Sequence, residues 1–311
     1  MKQILITVRP WERRIAIMED GLLQNIYFDS KSSFQLERSF FKGIVVKVLP
    51  GVQTAFIDMG LQKAGFLHVS EIDRDLAWSK TNKWDEDFEE EDSKNIGRNN
   101  RQSRQNIDIG QVLKQNEEIL VQVNKEPINE KGPKLTTCFA LPGRFVVLMP
   151  RIPKVGISKK IINPDERKRL KEIVASVLPE SAGCIIRTTC ENRNEKEIIQ
   201  DIRYLVDVWN DIQKKFIAAK PYECIYKDID ITLQIIRDQL SNDIEKIICD
   251  DQATYSQICN FIRYIAPEYV SRVFLYTDHV SLFETYNIEN LIQQALQPKV
   301  ELQSGGSIVI D

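Results

Sequence analysis

Strand-like apolar runs separated by turn residues dominate the first part of the chain. Ile4-Leu5-Ile6-Thr7-Val8 and Arg14-Ile15-Ala16-Ile17-Met18 read as strands, and Glu19-Asp20-Gly21 turns the chain into a third strand over residues 22–28. Such a meander is too small to fold alone, so it requires a partner layer from later in the chain. Between Phe40 and about Thr137 the pattern stays all-β. Val45, Val46 and Val48 lead to a turn at Pro50-Gly51, Ala55-Phe56-Ile57 runs into Asp58-Met59-Gly60, and Gly65-Phe66-Leu67 follows a short turn. Ile119-Leu120-Val121-Gln122-Val123 reads as a last long strand before Lys125. Short strands punctuated by glycine predict a small closed barrel.

Beyond residue 138 strand and helix patterns mix. Phe145-Val146-Val147-Leu148-Met149 and Gly183-Cys184-Ile185-Ile186-Arg187 read as strands. Asn163-Pro164-Asp165-Glu166 opens a helix, with Asn163 as N-cap, Pro164 at the first helical position and Glu166 at the capping-box position. Ile202, Leu205, Trp209, Ile212 and Phe216 recur at intervals of three and four, the packing stripe of a long amphipathic helix that Pro221 ends. In the final third, residues 230–233 look strand-like, 236–240 helical, 244–249 apolar, 255–265 helical and 273–276 strand-like. A helix around 288–296 stops at Pro298. Val300 and Leu302 then alternate with polar residues up to Ser304-Gly305-Gly306, and Ile308-Val309-Ile310 starts a second hairpin strand. An apolar strand at the very terminus predicts a polypeptide truncated inside a further domain.

The length of 311 residues points to two or three domains. With 42% hydrophobic and 28% charged residues the chain is neither mainly disordered nor fibrous. No apolar run approaches the ~20 residues that span a bilayer, and the N-terminus does not read as a signal peptide. The formal net charge of −3 excludes a polycation, so any nucleic-acid surface must concentrate its lysines and arginines locally. The six cysteines (Cys138, Cys184, Cys190, Cys224, Cys249 and Cys259) show no CxxC spacing, and only His68 and His279 accompany them. They read as small buried hydrophobes of a reducing compartment rather than zinc ligands. Residues 78–106 carry the acidic run 85–92 followed by Asn, Gln, Ser and Arg. Too little apolar surface is present there to offset ordering entropy, so this stretch reads as a disordered insertion in a barrel loop.

The clearest local signal lies in the barrel. Lys42-Gly43-x-Val45, Gly51, Ala55-Phe56-Ile57-Asp58-x-Gly60 and Gly65-Phe66-Leu67-His68-Val69-Ser70-Glu71 together resemble the S1 RNA-binding domain, an OB-type barrel. Single strands bind such barrels by stacking bases on exposed aromatics while lysines meet the phosphates. Phe56 and Phe66 are the stacking candidates, and Lys42, Lys125 and Lys131 the phosphate candidates. His68 reads as a surface or strand-end residue.

The resemblance extends along the chain through Met1-Lys2-x-x-Leu5-Ile6, Leu135-Thr136-Thr137, Val147-Leu148-Met149-Pro150, Gly156-Ile157-Ser158, Ile186-Arg187-Thr188 and Ser304-Gly305-Gly306-Ser307-Ile308-Val309-Ile310-Asp311. In this order they resemble the N-terminal portion of the bacterial ribonuclease E/G family. That resemblance implies an α+β multidomain fold. An RNase H-like layer would be split between residues 1–34 and 233–296, around an S1/OB-type barrel at 35–137 and an α/β 5′-sensor region at 138–232. Residues 297–311 would begin a truncated DNase I-like catalytic subdomain. Matching the sensor motifs assigns a 5′-monophosphate pocket to Gly143, Val147, Arg187 and Thr188. Lys159 stands where the family often has arginine, a point charge in place of a directional fork.

The same resemblance implies a cytoplasmic endoribonuclease that cleaves single-stranded RNA, rRNA precursors and mRNA, with 5′-monophosphate sensing. The family's two Mg²⁺-binding aspartates and its paired-cysteine Zn²⁺ link fall beyond Asp311. No catalytic or metal residue is therefore assigned in this chain, which is expected to be inactive alone and to lack the homo-oligomerisation route of the complete enzyme. The alternative is a non-catalytic S1-domain RNA-binding protein. An S1 protein of the translation apparatus would leave residues 138–311 unexplained.

Overall fold

The computed structural model describes residues 1–30, 36–73, 108–127, 131–241, 243–302 and 304–310. The insertion expected at 78–106, its acidic run and Asp311 lie outside the described residues. The chain divides into two compact units, Met1–Phe34 with Ile229–Asp311 and Gln35–Asp228.

The first unit opens with β1 (Lys2–Val8), β2 (Glu12–Glu19) and β3 (Leu22–Ser30), an antiparallel meander. Asp20 and Gly21 link β2 to β3 with φ of 49° and 80°. Positive φ at both central residues is the two-residue hairpin turn whose twist suits the flanking strands, and Asp-Gly is a favoured pair there.

The second unit begins with β4 (Phe40–Leu49), β5 (Thr54–Asp58) and β6 (Gly65–His68), continues through the short helix α1 (Ile109–Val112) to β7 (Glu118–Lys125), and adds β8 (Lys134–Thr136). The pairing runs β4-β5-β6-β8-β7 and closes from β7 back to β4, a five-strand barrel. Val45, Ala55, Ile57, Leu67, Val121, Val123 and Leu135 fill its interior. The strand expected over 119–123 is thus not the last one. It runs on to Lys125, and β8 then inserts between β6 and β7. A three-residue Lys-Leu-Thr segment is too short to display a period of two.

The chain then builds β9 (Leu141–Pro142), β10 (Val146–Met149), β11 (Val155–Ile157), α2 (Pro164–Ala175), β12 (Gly183–Ile186), α3 (Glu195–Ala218) and β13 (Cys224–Tyr226). A four-stranded sheet of order β11-β12-β10-β9 forms, with β11 parallel to β12. Asn163 caps α2 as expected, accepting the Asp165 N–H at 2.9 Å and the Glu166 N–H at 3.4 Å. The Glu166 carboxylate departs from the capping-box role: Arg169 holds it in a two-pronged pair at 2.6 and 2.7 Å, and it accepts the Asn192 N–H at 2.9 Å. The complete capping box belongs to α3, between Asn194 and Glu197.

Ile198, Ile202, Leu205, Trp209 and Ile212 of α3 are buried in one core with Phe139, Val146, Leu148 and Ile186. Phe40 and Leu120 of the barrel belong to that same core. Phe40, Phe139 and Trp209 pack as a triangle with ring centroids 5.2, 5.4 and 6.4 Å apart. Each such pair contributes about 0.5–1.5 kcal/mol beyond burial itself. β13 finally returns to pair with β4, joining barrel and α/β part in one body.

The first unit resumes with α4 (Ile231–Gln239), β14 (Ile244–Cys249), α5 (Gln252–Ile265), β15 (Val273–Leu275), α6 (Leu282–Thr285) and α7 (Ile288–Ala295). β14 lies parallel to β1 and β15 parallel to β14, so the sheet order is β15-β14-β1-β2-β3. The meander is therefore completed by later segments. Residues 230–233 correct the strand reading: Asp230 accepts the Leu233 N–H at 3.0 Å as N-cap of α4, and Thr232, Ile235 and Ile236 are buried. One face of the sheet, through Ile4, Ile6, Ile15 and Ile17, packs with residues of α4 and α5. The other face, through Leu5, Ala16 and Met18, meets Leu282, Phe283 and Ile288. Burial on both faces explains why β1 reads as a continuous apolar run. A hairpin of β16 (Lys299–Glu301) and β17 (Ser307–Val309) follows, its strand residues all exposed.

Candidate nucleic-acid interface

Alternation along the barrel strands decides which side chains face water. On β5, Ala55 and Ile57 point inward, leaving Thr54, Phe56 and Asp58 on the outer face. On β6, Gly65 and Leu67 are buried while Phe66 and His68 face out. Phe56 and Phe66 are both half-buried and stand directly opposite each other across the β5–β6 pair. Directly opposed side chains lie about 4.5–5.5 Å apart at Cβ, so the two phenylalanines leave the outer face side by side as a small apolar platform.

The register extends this platform into a row around the barrel. Lys47 of β4 is opposite Phe56, Lys134 of β8 is opposite Phe66, and Lys125 of β7 is opposite Lys134. Lys47 and Lys125 are exposed. Each follows an irregularity in its strand, between Val45 and Lys47 and between Val123 and Lys125, which sets these lysines in register with the row. Lys134 is paired with the Glu71 carboxylate. Lys131 is exposed just ahead of β8. The sequence reading identified Phe56, Phe66, Lys125 and Lys131 but missed Lys47 and Lys134, whose relation to the rings depends on strand register. His68 ends β6, and its Nδ1 accepts the Ser70 N–H at 3.2 Å, capping the turn Val69–Glu71.

Lys42 departs from the expectation of a phosphate contact. It is only 7% exposed, and its ammonium donates to the carbonyls of Ala219 at 3.0 Å and Phe216 at 3.4 Å, while pairing with Glu118 at 2.9 Å. Those carbonyls close the C-terminal end of α3, where a cation meets unsatisfied acceptors and the negative end of the helix dipole. The Lys42 charge is spent inside the fold.

A second cluster forms where the β9–β10 hairpin meets the end of β12. The Gly143 N–H donates to Val146 O at 2.7 Å, and Gly143 O accepts from Arg187 Nη1 at 2.8 Å. The Arg187 backbone N–H donates to Phe145 O at 2.8 Å. Thr189 Oγ1 donates to Arg144 O at 2.7 Å, tying the turn Thr188–Cys190 to the same hairpin. Arg187 is half-buried and Thr188 exposed; Val147 is half-buried opposite the exposed Ile185. Gly143, Val147, Arg187 and Thr188 are thus brought together by the β10–β12 pairing. Lys159 is exposed two residues past Ile157, which pairs with Ile186 in the parallel β11–β12 ladder.

Asp201 of α3 was not singled out from sequence, yet it organises this hairpin. It accepts the N–H groups of Arg144 at 3.0 Å, Phe145 at 2.8 Å and Val146 at 3.2 Å. Its signal was present: a carboxylate three residues after Ile198 and four before Leu205 lies within the apolar stripe of the helix, where an acid needs buried partners.

Burial pushes the thiols of Cys184, Cys190 and Cys249 up to about 12, so they remain protonated and behave as apolar groups rather than thiolates. Among the described residues no group of three or more His, Cys, Asp or Glu side chains is arranged to hold a metal ion. Nor is any described helix long and apolar enough to cross a membrane.

Residues 140–311 match the sequence profile described as the ribonuclease E/G family. Ribonuclease G of Salmonella typhimurium (strain SL1344) is 34% identical over 310 residues, covering 99% of this chain and 60% of its own length. Ribonuclease G of Escherichia coli (strain K12) is likewise 34% identical over 309 residues, with the same coverage. Ribonuclease E of Haemophilus influenzae is 33% identical over 313 residues, covering all of this chain and 31% of its own length. The chain therefore spans about 60% of the length of the ribonucleases G that it matches.

Proposed function

The chain belongs to the ribonuclease E/G family, and from that membership we propose that residues 1–311 are the RNA-binding part of an endoribonuclease that cuts single-stranded RNA and senses a 5′-monophosphate. The observation that carries the reading is the row Lys47, Phe56, Phe66, Lys134 and Lys125 around the barrel. Two adjacent aromatic side chains accept stacked bases, and the exposed Lys47 and Lys125 ammonium groups neutralise the phosphates on either side. This arrangement suits an unpaired strand, because bases in a duplex do not present free faces. It also supplies the local positive field that a chain of net charge −3 cannot provide on average.

The second cluster supplies the end recognition. Arg187 donates Nη1–H to Gly143 O at 2.8 Å, which places a guanidinium, a group suited to a terminal phosphate, at the hairpin. The exposed Thr188 hydroxyl donates alongside, Val147 offers an apolar side for the terminal base, and Lys159 adds a charge from the neighbouring strand end. In the first unit, the sheet order β15-β14-β1-β2-β3, with its first three strands in sequence antiparallel and the last two parallel to β1, supports the RNase H-like reading of that layer. For the Mg²⁺ that the family resemblance implies, no group of three or more His, Cys, Asp or Glu side chains stands ready among the described residues. Roles in rRNA processing and mRNA decay in the cytoplasm belong to the same proposal.

The test is binding of a fluorescent single-stranded oligoribonucleotide. Replacing Phe56 and Phe66 together by Ala should weaken binding by ~1–3 kcal/mol for each stacked base lost. Unchanged affinity in a folded double variant would sink the barrel as the strand-binding face. A 5′-monophosphorylated oligonucleotide should also bind better than its 5′-hydroxyl twin, and Arg187→Ala should remove the difference.

A further inference from the structure

Beyond α3 the chain turns back to the barrel through residues 220–223, where Lys220 O accepts the Glu223 N–H at 3.3 Å. Tyr222 stands third in this turn, with φ of 73°. Proline in second place and a positive φ in third is the pattern of a type II turn, whose third position favours glycine or asparagine. A bulky aromatic residue is strained there, and backbone strain of this kind gathers at ligand sites. Two backbone contacts with β4 hold the turn in place. The Tyr222 N–H donates to Lys42 O at 2.7 Å, and the Lys42 N–H donates to Glu223 O at 3.0 Å. Against Tyr222 lies Gly60, itself at a φ of 74°. A Cβ added to Gly60 would come within 2.9 Å of Tyr222 Cβ and 3.7 Å of its Cγ, so the tyrosine occupies the space a side chain would need. In spite of this fixed seat, Tyr222 remains 45% exposed.

The seat lies on the strand pair that carries the barrel platform. In the β4–β5 ladder Lys47 is opposite Phe56 and Ile44 is opposite Asp58. Lys42 and Gly60, the two residues that Tyr222 touches, each lie two positions further along these strands. Gly60 follows Phe56 by four residues, at most about 13 Å of chain. The Asp58 carboxylate between them accepts the Gly60 N–H at 2.9 Å and so serves the turn after β5. We propose that Tyr222 is a third stacking residue, on which a base of single-stranded RNA settles as the strand passes from Phe66 and Phe56 along β5. The proposal rests on the barrel reading given above. An OB-type barrel engages about 4–16 nucleotides, more than two rings can serve. A ring fixed by its own turn loses little freedom when a base stacks on it. Exposed Lys220, two residues earlier, supplies a positive charge for the backbone of that nucleotide.

The experiment uses the full 311-residue chain. Its readouts are affinity for a fluorescent single-stranded oligoribonucleotide, the denaturation midpoint, and the site at which a 4-thiouridine-substituted oligoribonucleotide photocrosslinks. Tyr222→Gly removes the ring and gives the turn the residue that its φ favours. It should leave the midpoint unchanged or raised and weaken binding at least about fivefold, the lower end of the worth of one stacked base. Tyr222→Phe keeps the ring and should keep the affinity, and in the parent chain the crosslink should map to Tyr222. A purely structural tyrosine predicts the reverse, a lower midpoint with RNA affinity unchanged, and that result overturns the proposal. So does a stable Tyr222→Gly chain that binds as the parent does. Replacing Phe56 and Phe66 together by Ala separates the two readings. If that variant binds weakly while Tyr222→Gly binds normally, the platform stands and the third position falls. If it binds as the parent does, the barrel reading falls and the role of Tyr222 falls with it.

Discussion

At the scale of single residues, burial reassigns charges that composition treats alike. Lys42 and Lys125 look equivalent in sequence, yet Lys42 is enclosed among the carbonyls of Phe216 and Ala219 and the carboxylate of Glu118, while Lys125 is exposed on the barrel. Lys42→Met should therefore cost about 1–3 kcal/mol of stability in denaturant unfolding, because two carbonyls lose a charged donor. It should leave the salt dependence of RNA binding in place, and loss of RNA affinity with unchanged stability would contradict this assignment. The thiols behave in a related way. Those of Cys184, Cys190 and Cys249 are raised by burial to about 12, above the ordinary value near 9. The unfolded chain releases these protons first as pH rises, so it binds fewer protons than the native state and stability falls with pH. Their contribution is complete below about pH 9 and is lost progressively towards pH 12. Denaturation midpoints measured across that window should fall, and serine replacements at the three positions should flatten the decline.

At the scale of elements, short polar contacts decide what pattern alone leaves open. Ile231 and Thr232 are β-branched and suggest a strand, but the Asp230 cap and the burial of Thr232, Ile235 and Ile236 make the segment a helix. In α2, Glu166 at the capping-box position reaches forward to Arg169 and to the Asn192 N–H instead of back to the cap. Arg169 also donates to Arg193 O at 3.2 Å, so the helix pins the loop that runs from the Thr188 turn into α3. The Arg169 side-chain hydrogen bond, with help from the Asn192 N–H, holds the Glu166 carboxyl below the usual carboxylate range. Stability from this pair is present above the ordinary carboxylate pKa and is lost as pH falls through the depressed value. Amide exchange at Asn192 should accelerate in acid through that window, and Glu166→Gln should produce the faster exchange already at neutral pH. Protection of Asn192 that ignores both changes would show that the loop is held by other contacts.

At the scale of the whole molecule, the lysine row predicts how binding responds to ions. The logarithm of affinity for single-stranded RNA should fall with the logarithm of salt by about 0.7 per phosphate neutralised, and Lys47→Ala or Lys125→Ala should each reduce that slope by about one phosphate. On the proposed reading, the 311-residue polypeptide should bind a fluorogenic 5′-monophosphorylated RNA without cutting it in Mg²⁺. Metal-dependent turnover abolished by mutating an aspartate within residues 1–310 would relocate the catalytic site.

Much of this architecture was legible along the chain. The meander, its turn at Asp20-Gly21, the barrel strands, the stripe of α3 and the pair Phe56 and Phe66 all follow from local periodicity and turn chemistry, which neighbouring residues carry by themselves. The sequence also determined which family motifs occur and in what order. Tertiary structure alone decided that β14 joins β1, that β8 slips between β6 and β7, that Lys47 and Lys134 flank the rings, that Lys42 is buried, and that Asp201 reaches the Gly143 hairpin. Each of these joins residues distant in sequence. Strand register and burial arise from packing the whole core at once, so no local pattern records them.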